Sequence, residues 1–242
     1  MLSRESVRGA ARTVSLQTRP EAIDVDLERT ALIVVDMQNA FASRGGMFDL
    51  AGFDISGAGP VIEVNRRLLD ACRKAAIKVV FLQMTFKPDL SDAGDESSPA
   101  YHKELALRMM RARPELSGKL LIENTWDWQL VDALQPAPHE HVVRKSRYDG
   151  FIRSDLESHL LAHNIRYLLF TGVATNVCVG STAQHAFYKD FWPILIEDAV
   201  NNSGPEFNQQ STLWNFEHAM GWVTRSDQVI SALQTSSAQV SV

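Results

Sequence analysis

The sequence predicts an α/β fold of three layers, α-β-α, with a mostly parallel sheet of about six strands and helices on both faces. Three observations carry this. Short continuous apolar runs recur along the chain, the pattern of strands buried on both faces. Between them lie segments with apolar residues at three- and four-residue spacing, which is helical. Finally, 242 residues that are 45% hydrophobic and 22% charged are enough for one domain with a large core. Strands that alternate with helices need crossover connections, and such connections build parallel sheets.

The elements follow in order. "ALIVVDM" (31–37) is the first strand. Residues 60–76 open with Pro60 and carry Val61, Val64, Leu68, Leu69 and Cys72 on one stripe, a helix with proline in its first turn. "IKVVFLQM" (77–84) is a strand, and 98–112 is a helix stopped by Pro114. "KLLIE" (119–123) reads as a short strand, and 125–134 as a helix with Thr125 at its N-cap. "HVVRK" (141–145) is a strand. Residues 154–164 form a helix in which Ser154 and Glu157 have capping-box spacing. "YLLFTGV" (167–173) is a strand, 178–190 a helix and 192–198 a strand, with last helices near 206–219 and 225–234.

Composition bounds the function. Net charge is −5 and the pI is about 5.8, with no basic stripe to suit nucleic acid. No apolar run reaches the ~18–20 residues of a membrane span. Cys72 and Cys178 are too few for a disulfide framework, so a reducing, cytoplasmic setting is expected. Residues 1–18 read as a polar N-terminal arm and 19–242 as one domain. The first twenty residues hold four arginines and one acid, a composition shared with organellar transit peptides. "SGAGP" (56–60) lacks the G-x-G-x-x-G spacing of a dinucleotide site. "HEH" (139–141) is the only dense His/Glu cluster, and its spacing is no helical metal motif, so no metal and no cofactor are expected.

In parallel sheets, reactive groups collect where strand carboxyl ends meet helix N-termini. Three chemical types fall on that edge: Asp36 ending the first strand, Lys145 ending "HVVRK", and Cys178 just after "YLLFTGV". Each has an ordinary alternative, namely a cap, a solvated lysine and a small core thiol. Together they make an activated nucleophile. A helix N-terminus and a cation lower a thiol's pKa, an acid takes its proton, and the lysine holds that acid charged.

"ALIVVDMQNAF", a lysine after a β-run, and "TGVATNVCV" resemble the isochorismatase-like cysteine hydrolase family, over about Arg19 to Leu233. The resemblance puts the family's catalytic triad on Asp36, Lys145 and Cys178. It implies a cis peptide before Ala174 and an oxyanion hole of the Ala174 and Cys178 amides. "GGMFDLAGFD", "WDWQLVDAL" and "RYDGF" are similar to the family branch that hydrolyses ureidoacrylate, a pyrimidine-breakdown intermediate, to aminoacrylate, ammonia and carbon dioxide. That implies a thioester intermediate and a small ureido substrate, and family members are commonly dimers or tetramers. The nicotinamidase branch carries a metal-binding Asp-x-His after the second strand, whereas this chain has "QMTFKPDLSD".

The substrate's carboxylate needs a cation or convergent donors. Arg147 and Tyr148, just past Lys145, are expected to supply them. Gln83 at the end of the second strand, Asn176 in the nucleophile loop, and Trp126 with Trp128 are expected to line the pocket. Met84 and Phe86 depart from the Asn and Trp expected in that branch. Biuret or another small ureido or amide compound is an alternative substrate. A non-catalytic scaffold on the same fold is the alternative from another class.

Overall fold

The computed structural model describes residues 12–239. Strands β1 (Thr13–Leu16) and β2 (Ile23–Asp26) form an antiparallel pair. The main sheet holds β3 (Thr30–Val35), β4 (Lys78–Met84), β5 (His141–Lys145), β6 (Tyr167–Val173), β7 (Trp192–Asn201) and β8 (Trp222–Thr224). Its order is β5-β4-β3-β6-β7-β8, and every pairing is parallel. The longer helices are α1 (Ala58–Lys74), α2 (Leu105–Ala112), α3 (Leu156–Ala162), α4 (Gly180–Tyr188), α5 (Phe207–Asn215) and α6 (Ser226–Gln239). Within the arm expected over residues 1–18, Thr13–Leu16 is strand β1 and Leu16 is buried in the core, while the residues before 12 lie outside the described residues. Among the described residues, no helix is long and apolar enough to cross a membrane.

Strand β3 explains the layers. All six of its residues are buried, yet they divide by parity. Leu32 and Val34 join Leu68, Leu69 and Cys72 of α1 and Val229 of α6 on one face. Ala31, Ile33 and Val35 join Leu160 of α3 and Ala183 of α4 on the other. A strand covered on both sides cannot alternate polar with apolar, so its sequence is a continuous apolar run. The chain leaves β3 toward β4 and β5, then returns to place β6, β7 and β8 on the opposite side. The carboxyl end of β3 is therefore the point where the topology reverses, and a crevice opens there.

Four local expectations are corrected. Residues 119–123 are not a strand of the sheet: Ile122 makes one isolated bridge with Phe86, and Leu121 stands at φ 55°. The sixth strand is β8, three residues long and too short to show a period. The helix expected over 125–134 is absent, and only Asp132–Leu134 forms a 3-10 turn. Its backbone is bonded across the chain instead, with the Gln129 and Asp127 carbonyls accepting the Asn39 and Ala40 amides and the Val131 amide donating to Met37. The helix expected over 98–112 breaks at Glu104, whose extended backbone starts α2 afresh. The Ser154–Glu157 capping box does not form either, because Glu157 pairs with Lys189 at 2.9 Å.

Candidate active site

Asp36 follows the last residue of β3, with its backbone at φ 50° and its amide donating to Leu82. Lys145 ends β5, two strands away across the sheet. At ~4.8 Å per strand that is roughly 10 Å, a gap that a side chain as long as lysine can cross. It passes Met84, with Nζ 3.8 Å from Sδ, and reaches Asp36 Oδ2 at 2.7 Å. Both side chains are wholly buried. The second carboxylate oxygen, Oδ1, accepts the Met84 N–H at 3.0 Å. Gln38 completes this floor: its Oε1 accepts the same N–H, and its Nε2 donates to the Met84 and Trp128 carbonyls.

Cys178 sits in a π-helical turn, Thr175–Val179, between β6 and α4. The Val173–Ala174 peptide before it is cis, as the resemblance implied. The Ala174 carbonyl accepts the Val177 and Val179 amides, which folds the turn tightly. Gly172 is required here. Its φ is +102°, and a Cβ on it would stand 2.0 Å from the Val35 carbonyl oxygen. The thiol is near enough to Asp36 and Lys145 for each of the three groups to shift the others' pKa.

Burial is the largest electrostatic influence on all three groups. It pushes the Cys178 thiol upward, and the Lys145 ammonium only partly offsets this. The shift runs opposite to the lowering that a helix N-terminus and a cation would give, which is why a base beside the thiol is needed to take its proton. Burial also raises the Asp36 carboxyl against the pull of Lys145. For Lys145, burial acts to lower its pKa, but Asp36 and Cys178 outweigh it and hold the ammonium above its ordinary value. Cys72, in the α1 core, has no such neighbours, and burial alone pushes it up to about 12.

The thiol opens into a cavity of about 230 Å³. Phe41, Phe48, Phe53 and Met84 give it apolar walls. Ala174 also lines it, beside Cys178. Its polar contributors are Glu104, Arg108, Tyr148 and Ser203. Arg108 is exposed and makes no ion pair or side-chain hydrogen bond among the described residues. Tyr148 has its pKa pushed up, first by burial and then by the nearby Glu104. A larger depression of about 660 Å³ between α1 and α6 contains none of the triad.

Several expected pocket residues stand elsewhere. Arg147 Nη1 donates to the Asp92 and Ser146 carbonyls, so its guanidinium is already occupied. Gln83 donates to the Trp128 carbonyl and lines a separate depression with Trp128 and Arg144. Trp126 is half exposed and absent from the cavity wall. The Asn176 side chain clips the nucleophile turn to Ser203, donating to its carbonyl and accepting its amide. Arg108 and Glu104 were missed from the sequence because the helical reading ran through both without direction. Asp127 was missed too: its carboxyl accepts the Met47 and Leu121 amides, and burial lifts its pKa to about 6.

The "HEH" residues do not gather either. Glu140 pairs with Arg73 at 2.7 Å, while His141 contacts Asp155 and stacks on His159. Among the described residues, no group of three or more His, Cys, Asp or Glu side chains is arranged to hold a metal ion.

The isochorismatase domain model matches residues 30–228. The ureidoacrylate amidohydrolase RutB of Cronobacter turicensis is 49% identical over 220 residues, covering 91% of this chain and 95% of that protein. The protein of the same name from Stutzerimonas stutzeri is 50% identical over 214 residues, 88% and 86% of the two chains. A crystal structure of a cysteine hydrolase from Pseudomonas syringae pv. phaseolicola superposes with a TM-score of 0.74 at 25% identity, covering 88% of this chain and 95% of that one.

Proposed function

The chain belongs to the isochorismatase family, and from that membership we propose that it is a cysteine-dependent amidohydrolase that cleaves ureidoacrylate at its ureido carbonyl. Relatives called ureidoacrylate amidohydrolase, near half identical over about nine-tenths of the chain, support the substrate. The observation that carries the chemistry is the buried Asp36–Lys145 pair beside a thiol that opens into a small cavity.

Asp36 takes the Cys178 proton as the sulfur attacks the ureido carbonyl. Lys145 remains an ammonium and balances the charge that moves through the pair. The oxyanion is received by the Ala174 and Cys178 amides. Asp36 returns its proton to the departing nitrogen. Water, deprotonated by Asp36, then cleaves the thioester. Loss of either nitrogen first leads to the same products, because the carbamate released in either order breaks down to an amine and carbon dioxide. The substrate carboxylate rests on Arg108, the unpaired cation at the cavity, with the Tyr148 hydroxyl beside it.

The reading extends to a cytoplasmic homo-oligomer, a dimer or tetramer. Its support is the pair of free thiols, which reducing surroundings preserve, and the exposed aromatics Tyr188, Phe207 and Trp214. Light scattering of the purified chain reads the assembly directly.

The substrate test is ammonia release from ureidoacrylate and from biuret, a neutral ureido compound, by the wild type, Arg108→Ala and Arg147→Ala. Arg108→Ala is expected to lose about ten- to a hundredfold in kcat/KM on ureidoacrylate and little on biuret. Arg147→Ala, which removes the bond to the Asp92 carbonyl, should affect both substrates alike. A wild type inactive on ureidoacrylate refutes the assignment.

A further inference from the structure

Glu104 has no role in the chemistry above, yet it lines the same cavity as Cys178. It is 5% exposed. It caps α2, with Oε2 accepting the Leu107 N–H at 2.9 Å. Capping alone does not account for it. Helix caps favour the short oxygens of Ser, Thr, Asp and Asn, which reach the first turn without burying a longer acid. A buried carboxyl among apolar walls is costly unless something pairs with it. Burial raises its pKa, opposed by the Leu107 and Ala106 amides, the Lys145 charge and the Leu105 amide. No ion pair joins it to Arg108, although the two are one helical turn apart on α2 and line the same cavity.

A ureido group differs from a simple amide by a second nitrogen that carries N–H bonds. Phe41, Phe48, Phe53 and Met84 can accept none of them. We propose that Glu104 reads the ureido group, its carboxyl accepting urea N–H bonds while Arg108, one turn along α2, holds the substrate's carboxylate. The terminal ureido nitrogen and the carboxylate carbon of ureidoacrylate are five bonds apart, roughly 5–6 Å at ordinary bond lengths. Glu104 is the N-cap of α2, its carbonyl accepts the Arg108 amide at 3.1 Å, and both residues line the cavity. Glu104 would thus be a specificity residue that touches substrate, setting the preference for ureido over N-substituted or simple amide compounds. The inference rests on the reading of the cavity as a ureido site.

The test measures binding, so that it stands apart from turnover. Methyl methanethiosulfonate modifies Cys178, and a ligand in the cavity slows it. Two ligands are compared: 3-ureidopropionate, and the same compound with its terminal nitrogen dimethylated. The wild type is expected to be protected by 3-ureidopropionate at about ten- to a hundredfold lower concentration than by the dimethyl compound. In Glu104→Ser, which keeps a capping oxygen, that ratio should fall to within about threefold. Glu104→Gln keeps the side-chain length and one acceptor oxygen, and should fall between the two. It also carries the test should Glu104→Ser not fold. A ratio unchanged in both variants overturns the proposal, as does a wild type protected equally by both ligands or by neither. Failure of the ureidoacrylate assignment looks different: a wild type protected by 3-ureidopropionate that releases no ammonia from ureidoacrylate.

Discussion

Lys145→Met should convert the active site from an ion pair into an isolated buried acid. Methionine preserves most of the length of the side chain and removes only its charge. Lys145 Nζ lies 2.7 Å from Asp36 Oδ2, and neither side chain is exposed. Removing one member of such a pair costs about 3–5 kcal/mol while the other stays charged. Asp36 can escape part of this by binding a proton, each unit of upward shift being worth about 1.4 kcal/mol. The sign follows from linkage. A carboxyl whose folded pKa rises above its unfolded value of ~3.9 adds stability that is full below that value and lost as pH rises through the folded pKa. Lys145→Met should therefore be about 3 kcal/mol less stable than the wild type at pH 8 and recover as pH falls toward 5. Asp36→Asn/Lys145→Met removes the stranded acid and should be the more stable of the two variants at pH 8. Urea denaturation of the three proteins from pH 5 to 8 measures this, and the difference between single and double variant cancels other titrating groups. With Asp36 protonated the base is gone, so turnover should drop by roughly a hundred- to ten-thousandfold. A Lys145→Met protein as stable as the wild type at pH 8, with a flat single-minus-double difference, would show that the ammonium does not hold Asp36.

Three further expectations can be checked independently. Cys178→Ala should abolish turnover while Cys72→Ala retains it, and mass spectrometry after brief alkylation should find Cys178 labelled ahead of Cys72, whose thiol is buried with no base beside it. Gly172→Ala puts a methyl 2.0 Å from the Val35 carbonyl at a φ of +102°, so a loss of ~2–4 kcal/mol in thermal or urea unfolding is expected, with the nucleophile turn displaced. Asp127 has its pKa raised to about 6 by burial, so its share of stability is greatest below ~3.9 and declines as pH rises through 6, by up to ~3 kcal/mol; unfolding of Asp127→Asn across that window should lack this decline.

The sheet was legible in the sequence because its central strands are covered on both faces. Such strands carry near-continuous apolar runs, as β3, β4 and β6 do. The juxtaposition of the proposed triad was legible for a related reason: Asp36, Lys145 and Cys178 each interrupt or follow such a run at one edge. What failed depended on direction. "TWDWQLVDAL" has helical spacing, but its backbone partners are residues 37–40, which no local pattern reveals. Arg147 is two residues from Lys145 in sequence, and its guanidinium turns to Asp92. Gln83 carried a usable signal. Strand parity sets it on the opposite face from Met84, and Met84 is the one that lines the cavity. Glu104 and Arg108 are joined to Cys178 only by the fold, so no sequence spacing points to them.

The base and its ammonium come from the half of the sheet completed by residue 145, and the sulfur comes from the other half. A chain emerging from the ribosome therefore carries Asp36 and Lys145 well before it carries any nucleophile to serve them. When Cys178 does emerge, it is an ordinary thiol until β6 docks against β3 and Gly172 comes up against Val35. Activation is thus tied to closure of the two halves around one strand. A nascent or locally opened chain carries Cys178 without the base and ammonium that the closed seam sets beside it.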